Sequence, residues 1–390
     1  MLGSLFIGLS GMNAYSAGLR EVSNNITNLN SNGYRASSVE FSDLFGSGGQ
    51  GVSYSNGFDG SGNGVQLAQR RLDLTQGDIR QTENDLDLAV DGDGFLALER
   101  DGEYFYARTG NFEVDDAGYI VLSGTEYRLT VLNSSGQAVA LSIDSHRTDA
   151  PEATTRISFA DNLSSSATEY TISDVEVFNS EGEADSWEIA FTREATDTDW
   201  TVTVTNGDGE VVGEETLQFN NGIIDPSTSE LTFTDESRGA SVALDFSENV
   251  TSFSSGEIST LRTTDIDGYE IGEITSLAVN EDGVLEVGYS NEQVETLGAV
   301  TIAAFDQVNA LEQIGAGLFV YNQSTGRDLL SSASERVGTV RSNRIEASNV
   351  DLSAQFGDLI LVQRGYQASS QVVSVSNDMI QQLFGLRGQG

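Results

Sequence analysis

The 390-residue chain lacks cysteine and lysine altogether, and it contains one histidine and two prolines. The absence of cysteine excludes disulfides, thiolate catalysis and cysteine-ligated metal sites. With a single histidine, His146, a histidine pair for a metal and a Cys–His dyad are both excluded. The scarcity of proline beside 42 glycines predicts turns that are built on Gly, Asn and Asp.

Basic residues are also few, because 19 arginines stand against 60 acidic residues and give a formal net charge of −41. Such a charge repels nucleic acid and anionic membrane surfaces, so neither is expected as a partner. It also makes copies of the chain repel one another, so self-assembly would need apolar contacts and screening by salt. Hydrophobic residues still make up 38% of the chain, and its length suits two to four packed domains.

The N-terminal segment is uncharged up to Arg20, which raises the question of a signal or a membrane span. No stretch of about 18 apolar residues occurs, so no transmembrane helix is expected. A cleaved secretory signal has a basic start and an unbroken apolar core, whereas here no Lys or Arg comes first and Gly, Ser and Asn interrupt the apolar residues. We therefore expect the segment to belong to the mature protein.

Both ends of the chain carry apolar residues at seven-residue intervals. The N-terminal row is Leu5, Met12, Leu19 and Ile26, with Leu9 beside it; the C-terminal row is Leu352, Leu359, Tyr366, Val373 and Ile380, with Phe356 and Leu383 beside it. A seven-residue apolar repeat on a helix is the seam of a coiled coil. Polar residues stand where a second apolar row is expected, at Ser16, Ser23, Gln363, Ser370 and Asn377. Periodicity alone leaves open whether these helices pair in an assembly or pack as ordinary amphipathic helices on a globular core.

Between the two ends the pattern is mainly that of β-strands. Alternating apolar residues flank turn sequences at 115–118, 206–209 and 281–283, and each of these predicts a hairpin. Residues 46–64 are rich in Gly and Ser, which predicts a flexible linker or an extended loop. Polar stretches around 146–155 and 254–267 bracket a β-rich block of domain size. The predicted fold class is therefore α+β, mainly β, with a helix at each end.

Acidic residues are too numerous for their spacing to mark a catalytic or metal site. The Asp-Gly-Asp-Gly run at 91–94 and the Asp-Ile-Asp-Gly run at 265–268 faintly suggest calcium loops, but both lack the further ligands of an EF-hand. Asp-Gly is also a common turn sequence, and His146 lies in a predicted linker, so ordinary turns and a solvated histidine are the preferred interpretation. G-x-S-x-G and P-loop motifs are absent. No catalytic, metal or cofactor site is expected.

Several long blocks resemble the family of flagellar rod, hook and hook-associated proteins. Residues 23–45 (SNNITNLNSNGYRASSVEFSDLF), 74–98, 107–121 and 348–383 resemble the family as a whole, and 268–291 and 297–319 resemble hook proteins in particular. The residues taken as the family signature are Asn24, Asn25, Asn28, Gly33, Tyr34, Gln76, Gly77, Gly94, Phe95, Asn349, Val350, Asp351, Gln363, Arg364 and Gly365. Several blocks in the family's order are more specific than one short motif. The stretch after Gly124 departs from the family pattern, and 146–267 matches only loosely.

The resemblance implies an architecture in which the two terminal helices pair as an innermost domain that lines a central channel. On this basis we expect a helical inner domain from 1–70 and 350–390, a discontinuous β domain from 71–145 and 268–349, and an outer β domain inserted at 146–267. The apolar rows of both ends, with Leu9, Phe356 and Leu383, are then the expected assembly surface. We expect these ends to be disordered in the free chain, because they lack most of their burial before assembly.

The same resemblance implies a non-enzymatic hook subunit that polymerises into a flexible tube and acts as a universal joint between motor and filament. The implied partners are further copies of the chain, the distal rod, the hook cap, the hook–filament junction proteins and the flagellar export apparatus. The implied location is the flagellum outside the cell, reached without a cleaved signal peptide.

Two other functions stay open at this point. A distal rod protein is the alternative within the family, although rod proteins are typically shorter and lack so large an insertion. An acidic extracellular adhesin or a polysaccharide-degrading enzyme is the alternative outside it. That alternative predicts a monomer with a defined pocket and dispensable termini.

Overall fold

The structure is a computed structural model that describes residues 2–43, 64–133, 135–194, 198–323 and 325–387. These residues form a helix at each end and thirty strands between them. The fold class expected from the sequence, α+β and mainly β with terminal helices, is confirmed. The predicted linker at 46–64 lies, apart from Gly64, outside the described residues.

Helix α1 (Leu2–Thr27) and helix α2 (Leu352–Arg387) contain the two heptad repeats. Helix α1 ends where the Asn-rich turn begins, and Gly33 in that turn has a φ of +67°, which glycine adopts without strain. No helix in the described ranges is both long enough and apolar enough to cross a lipid bilayer.

The start of α2 is set by Asp351. Its carboxylate accepts hydrogen bonds from the backbone N–H groups of Ser353 and Ala354, at 2.7 and 3.2 Å. These two groups have no partner within the helix, so Asp351 acts as the N-cap.

The chain divides into two compact units. The first unit comprises Met1–Asp144, Leu277–Glu286 and Thr296–Gly390, and the second comprises Ser145–Ser276 and Val287–Glu295. This division into two units does not test the three-part domain division that was expected from the sequence, which stays a prediction.

The strands of the first part of the chain belong to the first unit. They are β1 (Ser37–Asp43), β2 (Val65–Leu72), β3 (Ile79–Gln81), β4 (Asp87–Asp91), β5 (Phe95–Arg100), β6 (Glu103–Ala107), β7 (Thr109–Val114), β8 (Ile120–Leu122), β9 (Arg128–Leu132) and β10 (Ala138–Ala140). A 3-10 turn follows at Ile143–His146.

The strands of the middle of the chain belong to the second unit. They are β11 (Thr148–Asp149), β12 (Arg156–Asn162), β13 (Glu169–Phe178), β14 (Ala184–Thr192), β15 (Trp200–Thr205), β16 (Val211–Leu217), β17 (Phe219–Asn220), β18 (Ile223–Ile224), β19 (Glu230–Asp235), β20 (Ala240–Asp245), β21 (Val250–Thr251) and β22 (Arg262–Ile266).

The remaining strands lead back into the first unit. They are β23 (Gly272–Val279), β24 (Val284–Tyr289), β25 (Val294–Phe305), β26 (Leu311–Gly315), β27 (Leu318–Tyr321), β28 (Arg327–Ser331), β29 (Thr339–Arg341) and β30 (Arg344–Glu346). A 3-10 turn at Val308–Ala310 precedes β26.

The first unit is built on an antiparallel sheet in the order β25-β5-β9-β8-β7-β4-β29, with β6 beside β5 and β27 beside β6. The predicted hairpin around 115–118 is confirmed by the pairing of β7 with β8. Leu88, Leu96, Leu98 and Ile302 are fully buried in the core of this sheet. Two short ladders, β1 with β2 and β3 with β30, connect the sheet region to the ends of the helices.

The second unit has two sheets that share one hydrophobic core. One sheet runs β17-β18-β21-β12-β20-β19, and the other runs β13-β14-β15-β16 and includes the predicted hairpin at 206–209. Side chains along β14 and β15 alternate between buried and less buried, as in a sheet that faces a core on one side. Both tryptophans of the chain, Trp187 and Trp200, are buried in this core.

Candidate functional site

The two terminal helices pair with each other in antiparallel orientation. Near the start of α1, the Ser376 hydroxyl donates a hydrogen bond of 3.2 Å to the Ser4 hydroxyl. Near its end, the Asn25 amide donates one of 2.9 Å to the Gln355 side chain. The N-terminal end of each helix therefore lies beside the C-terminal end of the other.

The seam between the helices is made largely of small residues on α1. Its most buried positions are Gly8, Gly11, Ala14, Gly18, Val22 and Asn25 on α1, which face Leu359, Val362, Tyr366, Ser369, Val373 and Ser376 on α2. A Cβ atom at Gly8 would lie 2.7 Å from the Val373 side chain, and one at Gly11 would lie 2.5 Å from the Ser369 hydroxyl. Glycine therefore permits a close approach of the two helices that larger residues would prevent.

The apolar rows predicted from the sequence occupy different places on the two helices. On α2, the side chains of Leu359, Tyr366, Val373 and Ile380 are half-buried along the seam, whereas on α1 Leu5, Met12, Leu19 and Ile26 are half-buried beside it. Leu9, Leu352 and Phe356 are 46%, 37% and 49% exposed. The side chain of Leu383 lies outside the described part of the structure. The assembly role of these residues stays a prediction.

The predicted second row of the seam is wrong in register. Ser16, Ser23, Gln363, Ser370 and Asn377 are all exposed, and the second row on α2 instead consists of Gln355, Val362, Ser369 and Ser376. The two candidate rows lie one residue apart on the helix, about 100° in rotation, and both have the heptad period. The row that packs against α1 faces its glycines, and a hydrophobic repeat does not reveal the positions of glycines.

A second apolar heptad row runs along one flank of α2, beside the seam with α1. We name this row the outer stripe; it consists of Leu361, Gly365, Ala368, Val372, Val375 and Met379. Leu361 is 67% exposed, and Val372, Val375 and Met379 are each 43% exposed. On the opposite flank of the seam, Gln363, Gln367, Ser370, Ser374, Asn377 and Gln381 form an exposed polar stripe without charge. Gly365 and Val372 lie close to Tyr15 and Gly8 of α1, but much of the outer stripe stays exposed among the described residues.

Below the helices, a buried ionic cluster holds both chain ends to the sheet region. The Glu346 carboxylate is fully buried and lies 2.6 Å from Nη2 of Arg35 and 3.2 Å from Nε of Arg108. It also accepts a 2.7 Å hydrogen bond from the backbone N–H of Gly77. Burial lowers the pKa of Arg108, and the Glu346 carboxylate acts in the opposite direction. We call Arg35, Arg108, Glu346 and Gly77 the anchor cluster.

Two asparagines of the family signature extend this anchor. Asn25, 1% exposed, accepts hydrogen bonds from the Tyr34 hydroxyl and the Ser37 N–H, and donates to the Ser37 carbonyl. Asn349 accepts a hydrogen bond of 2.7 Å from the Ala36 N–H and donates to the carbonyls of Asp73 and Thr75. Both side chains form hydrogen bonds with backbone groups of neighbouring segments. They therefore fix the position of the end of α1 and of the segment that precedes α2.

The remaining signature residues have structural positions of several kinds. Asn28 hydrogen-bonds the Asn24 carbonyl and Ser31, and Gln76 hydrogen-bonds Val90 and Gly92. The Gly94 carbonyl accepts a hydrogen bond from Arg108, and Phe95 packs against Phe305 and Phe319. Val350 is buried beside Tyr34, and Gly365 contacts Tyr15. Asn24, Gln363 and Arg364 are exposed at the helix surface. Most of the signature thus serves the junction between helices and sheet.

Few side chains among the described residues are arranged as in a catalytic or metal site. They contain no group of three or more His, Asp or Glu side chains arranged to hold a metal ion. The ring of His146 lies 2.9 Å from the Glu295 carboxylate, which also accepts a 2.7 Å hydrogen bond from Tyr289. Burial and the bond to Glu295 raise the pKa of Tyr289 to about 12. His146 is therefore engaged with a neighbouring carboxylate, in place of the solvated side chain expected from the sequence.

One acidic group of the second unit has a perturbed titration that bears on stability. Burial raises the pKa of Asp267, but hydrogen bonds from the Thr155 hydroxyl and from the N–H groups of Thr155 and Arg156 outweigh it and hold the pKa below its usual value. The ionised form is therefore favoured by folding, and this stability is lost as the pH falls through the folded pKa.

Sequence reasoning missed the glycine seam and the anchor cluster. Arg35 lies inside the recognised block 23–45, yet its partner Glu346 is 311 residues away. The available signal was Glu346, the lone acidic residue just ahead of Asn349 in the family signature. A carboxylate that is buried needs a cationic partner such as an arginine.

The sequence is similar to those of known flagellar proteins. The model of the flagellar basal body rod FlgEFG protein C-terminal region matches residues 341–386, and that of the flagellar hook protein FlgE/F/G D1 domain matches residues 89–173. The chain is 29% identical to the flagellar hook protein FlgE of Escherichia coli over 97% of this chain and 98% of that protein. It is 26% identical to FlgE of Treponema pallidum over 99% of this chain and 100% of that protein.

Among solved structures, the flagellar hook protein FlgE2 of Helicobacter pylori matches with a TM-score of 0.49 and 12% identity, over 69% of this chain and 99% of that chain. The assignment rests on the sequence matches, which run nearly end to end and agree across species. Together with the two matched domain families, they show that the chain belongs to the flagellar hook protein family.

Proposed function

We propose that this chain is the building unit of a flagellar hook and that it polymerises through its paired terminal helices into a tube. The observation that carries the mechanism is the outer stripe of α2, a heptad row of exposed apolar residues without a charge. A row with this period accepts another helix, because knobs from that helix fit between residues spaced at three and four. In a polymer the other helix comes from a neighbouring copy.

The distribution of charge supports this role. Helix α1 carries one arginine and one glutamate, and α2 carries two arginines and two aspartates, so each helix is formally neutral. The net charge of −41 therefore belongs to the rest of the chain. Apolar association of helices is then not opposed by their own charge, while salt screens the repulsion between the remaining parts.

The energetic scale is adequate for assembly. Burying each exposed Leu, Val or Met of the outer stripe contributes at most about 1.5–3 kcal/mol. Several such residues per copy, repeated at every neighbour, offset the entropy of ordering the helices and the repulsion between acidic surfaces. In the free chain this burial is missing, and we expect the far ends of the helices to be the least stable part of the chain.

Two adjacent residues of α2 permit a matched test. Val375→Asp places a carboxylate in the outer stripe, whereas Ser374→Asp adds the same charge on the polar stripe one residue away. We expect Val375→Asp to raise the concentration needed for polymerisation by at least about tenfold and Ser374→Asp to have a much smaller effect. Sedimentation of polymers in concentrated salt measures both. Equal effects of the two variants would contradict the role of the stripe.

A deletion tests the mechanism as a whole. Removing 350–390 takes away α2 and should abolish tube formation, while the buried core of the second unit stays intact. Tubes formed by the truncated chain would disprove assembly through the terminal helices. Electron microscopy of full-length polymers then separates hook from rod, because curved tubes are expected of a hook and short straight ones of a rod.

The wider role follows from family membership. We propose that the polymer acts as a flexible universal joint outside the cell, that its subunit is exported without a cleaved signal peptide, and that it performs no catalysis. The proposed partners are further copies of the chain, the distal rod, the hook cap, the hook–filament junction proteins and the export apparatus. We also propose the three-part domain division with an outer domain at 146–267.

A further inference from the structure

A groove of about 420 Å³ opens between α1, β1 and α2 in the first unit. Its wall includes the apolar side chains of Tyr15, Phe41 and Val362 beside the polar Ser37, Ser38 and Gln355; the rings of Tyr15 and Phe41 lie 5.2 Å apart. Two carboxylates, of Glu21 and Asp358, also line it. The groove therefore combines an apolar surface with negative charge, which suits an arginine carried on an apolar helix face.

Such an arginine is present on the same chain. Arg364 is exposed on α2 and forms no ion pair within the described part of the chain. Ala368 and Val372 of the outer stripe follow at the fourth and eighth positions, so the three side chains lie on one helix face. Arg20, the arginine of α1, has polar Asn24 and Asn28 at the same spacing instead.

Within one copy, Arg364 and the groove cannot meet. Val362 points into the groove region and packs toward Gly18 of α1, and Arg364 follows it by two residues, which is about 200° around the helix. Arg364 therefore points away from Val362, while Ala368 and Val372 lie on the flank of α2 that carries Leu361 at the edge of the groove. A contact between Arg364 of one copy and the groove of another joins two different patches, so its repetition can build an open helical polymer.

We propose that the Glu21–Asp358 groove of one copy receives Arg364 of a second copy, with Ala368 and Val372 packing on the apolar wall. This inference rests on the proposed assembly through the terminal helices and identifies one contact within it. The charge pair fixes which part of the outer stripe enters the groove, because a guanidinium seated on apolar residues requires a carboxylate partner. Apolar rows alone tolerate slippage by a heptad, whereas one charge pair selects a single register.

Charge reversal in the full-length chain tests the pairing. Arg364→Glu and Asp358→Arg should each raise the concentration needed for polymerisation at least about tenfold at a fixed salt concentration, since each places like charges in the contact. The double variant with both changes restores opposite charges between copies and should return to within about threefold of the parent. Arg20→Glu is the matched control, with the same change in charge on an exposed arginine, and should stay within about threefold.

The outcomes separate this inference from the proposed function. Rescue in the double variant supports the pair, and a misfolded Arg364→Glu chain could not be rescued by a second change six residues away. If Arg364→Glu behaves as Arg20→Glu does, or if the double variant is no better than the singles, the pairing is wrong. In that case loss of tubes on deletion of 350–390 would still support assembly through the helices, and retention of tubes would disprove both.

Discussion

The anchor cluster leads to a quantitative expectation for Glu346→Gln. The substitution keeps the shape of the side chain but removes the negative charge that lies 2.6 Å from Arg35 and 3.2 Å from Arg108. Arg35 is fully buried and the Arg108 side chain is 5% exposed, so their charges have no access to water. Breaking a buried ion pair in this way lowers the free energy of unfolding by about 3–5 kcal/mol. We expect this loss in the first unit.

The positions of the tryptophans make the assay selective. Trp187 and Trp200 both lie in the core of the second unit, so tryptophan fluorescence during urea unfolding follows that unit alone. Hydrogen exchange of peptides from β4 and β5 follows the first unit, whose core contains these strands. Glu346→Gln should shift the exchange-derived free energy of the first unit and leave the fluorescence transition of the second unit in place.

Two further variants complete the experiment. Glu335→Gln removes a charge at an exposed position and should change the stability by no more than about 0.5 kcal/mol. Adding Arg35→Met to Glu346→Gln removes one uncompensated buried cation and should recover part of the loss. A loss below about 1 kcal/mol in Glu346→Gln alone would refute the view that this carboxylate anchors the chain ends.

Three more predictions concern backbone approach and pH. Gly77→Ala places a methyl group against the backbone carbonyl of Ala347 and should lower the melting temperature of the first unit. Thermal unfolding followed by hydrogen exchange measures this temperature, and an unchanged value would contradict the contact. Gly11→Val should separate the helices at Ser369 and weaken polymerisation in sedimentation, and polymers of parental strength would show that the seam adapts. Asp267→Asn should lower the stability of the second unit at pH 7 and have a progressively smaller effect below about pH 4, because the folded pKa of Asp267 is depressed. Fluorescence-detected unfolding across pH measures this effect, and a pH-independent effect would exclude the ionised carboxylate as the stabilising form.

The features that local sequence dictates could be predicted well. Turn sequences such as 115–118 and 206–209 placed hairpins correctly, because their Asn, Asp and Gly residues adopt turn backbone without help from distant parts of the chain. The helix boundaries have local signals of the same kind, the Asn-rich turn after α1 and the Asp351 cap before α2. These signals lie within a few residues of the structure that they specify.

The register of the helix pair could not be predicted in the same way. Helix α2 has several rows with the heptad period, and the choice among them depends on the glycines of α1 that face it. Glycine has no side chain to contribute to a hydrophobic repeat, so the positions of closest contact were invisible in the pattern. The anchor cluster was missed for a related reason, since Glu346 is joined to Arg35 only by the folded chain.

The distance in sequence between the two helices has a consequence for the order of events. Ser4 and Ser376 are 372 residues apart, so the pair closes a loop of almost the whole chain. Contacts of such high sequence separation form late, after shorter loops in the sheets have closed. Until the last segment of the chain is available, the first helix has no partner of its own. A partly delivered chain can therefore fold its strands, but it lacks the helix pair on which the proposed assembly depends.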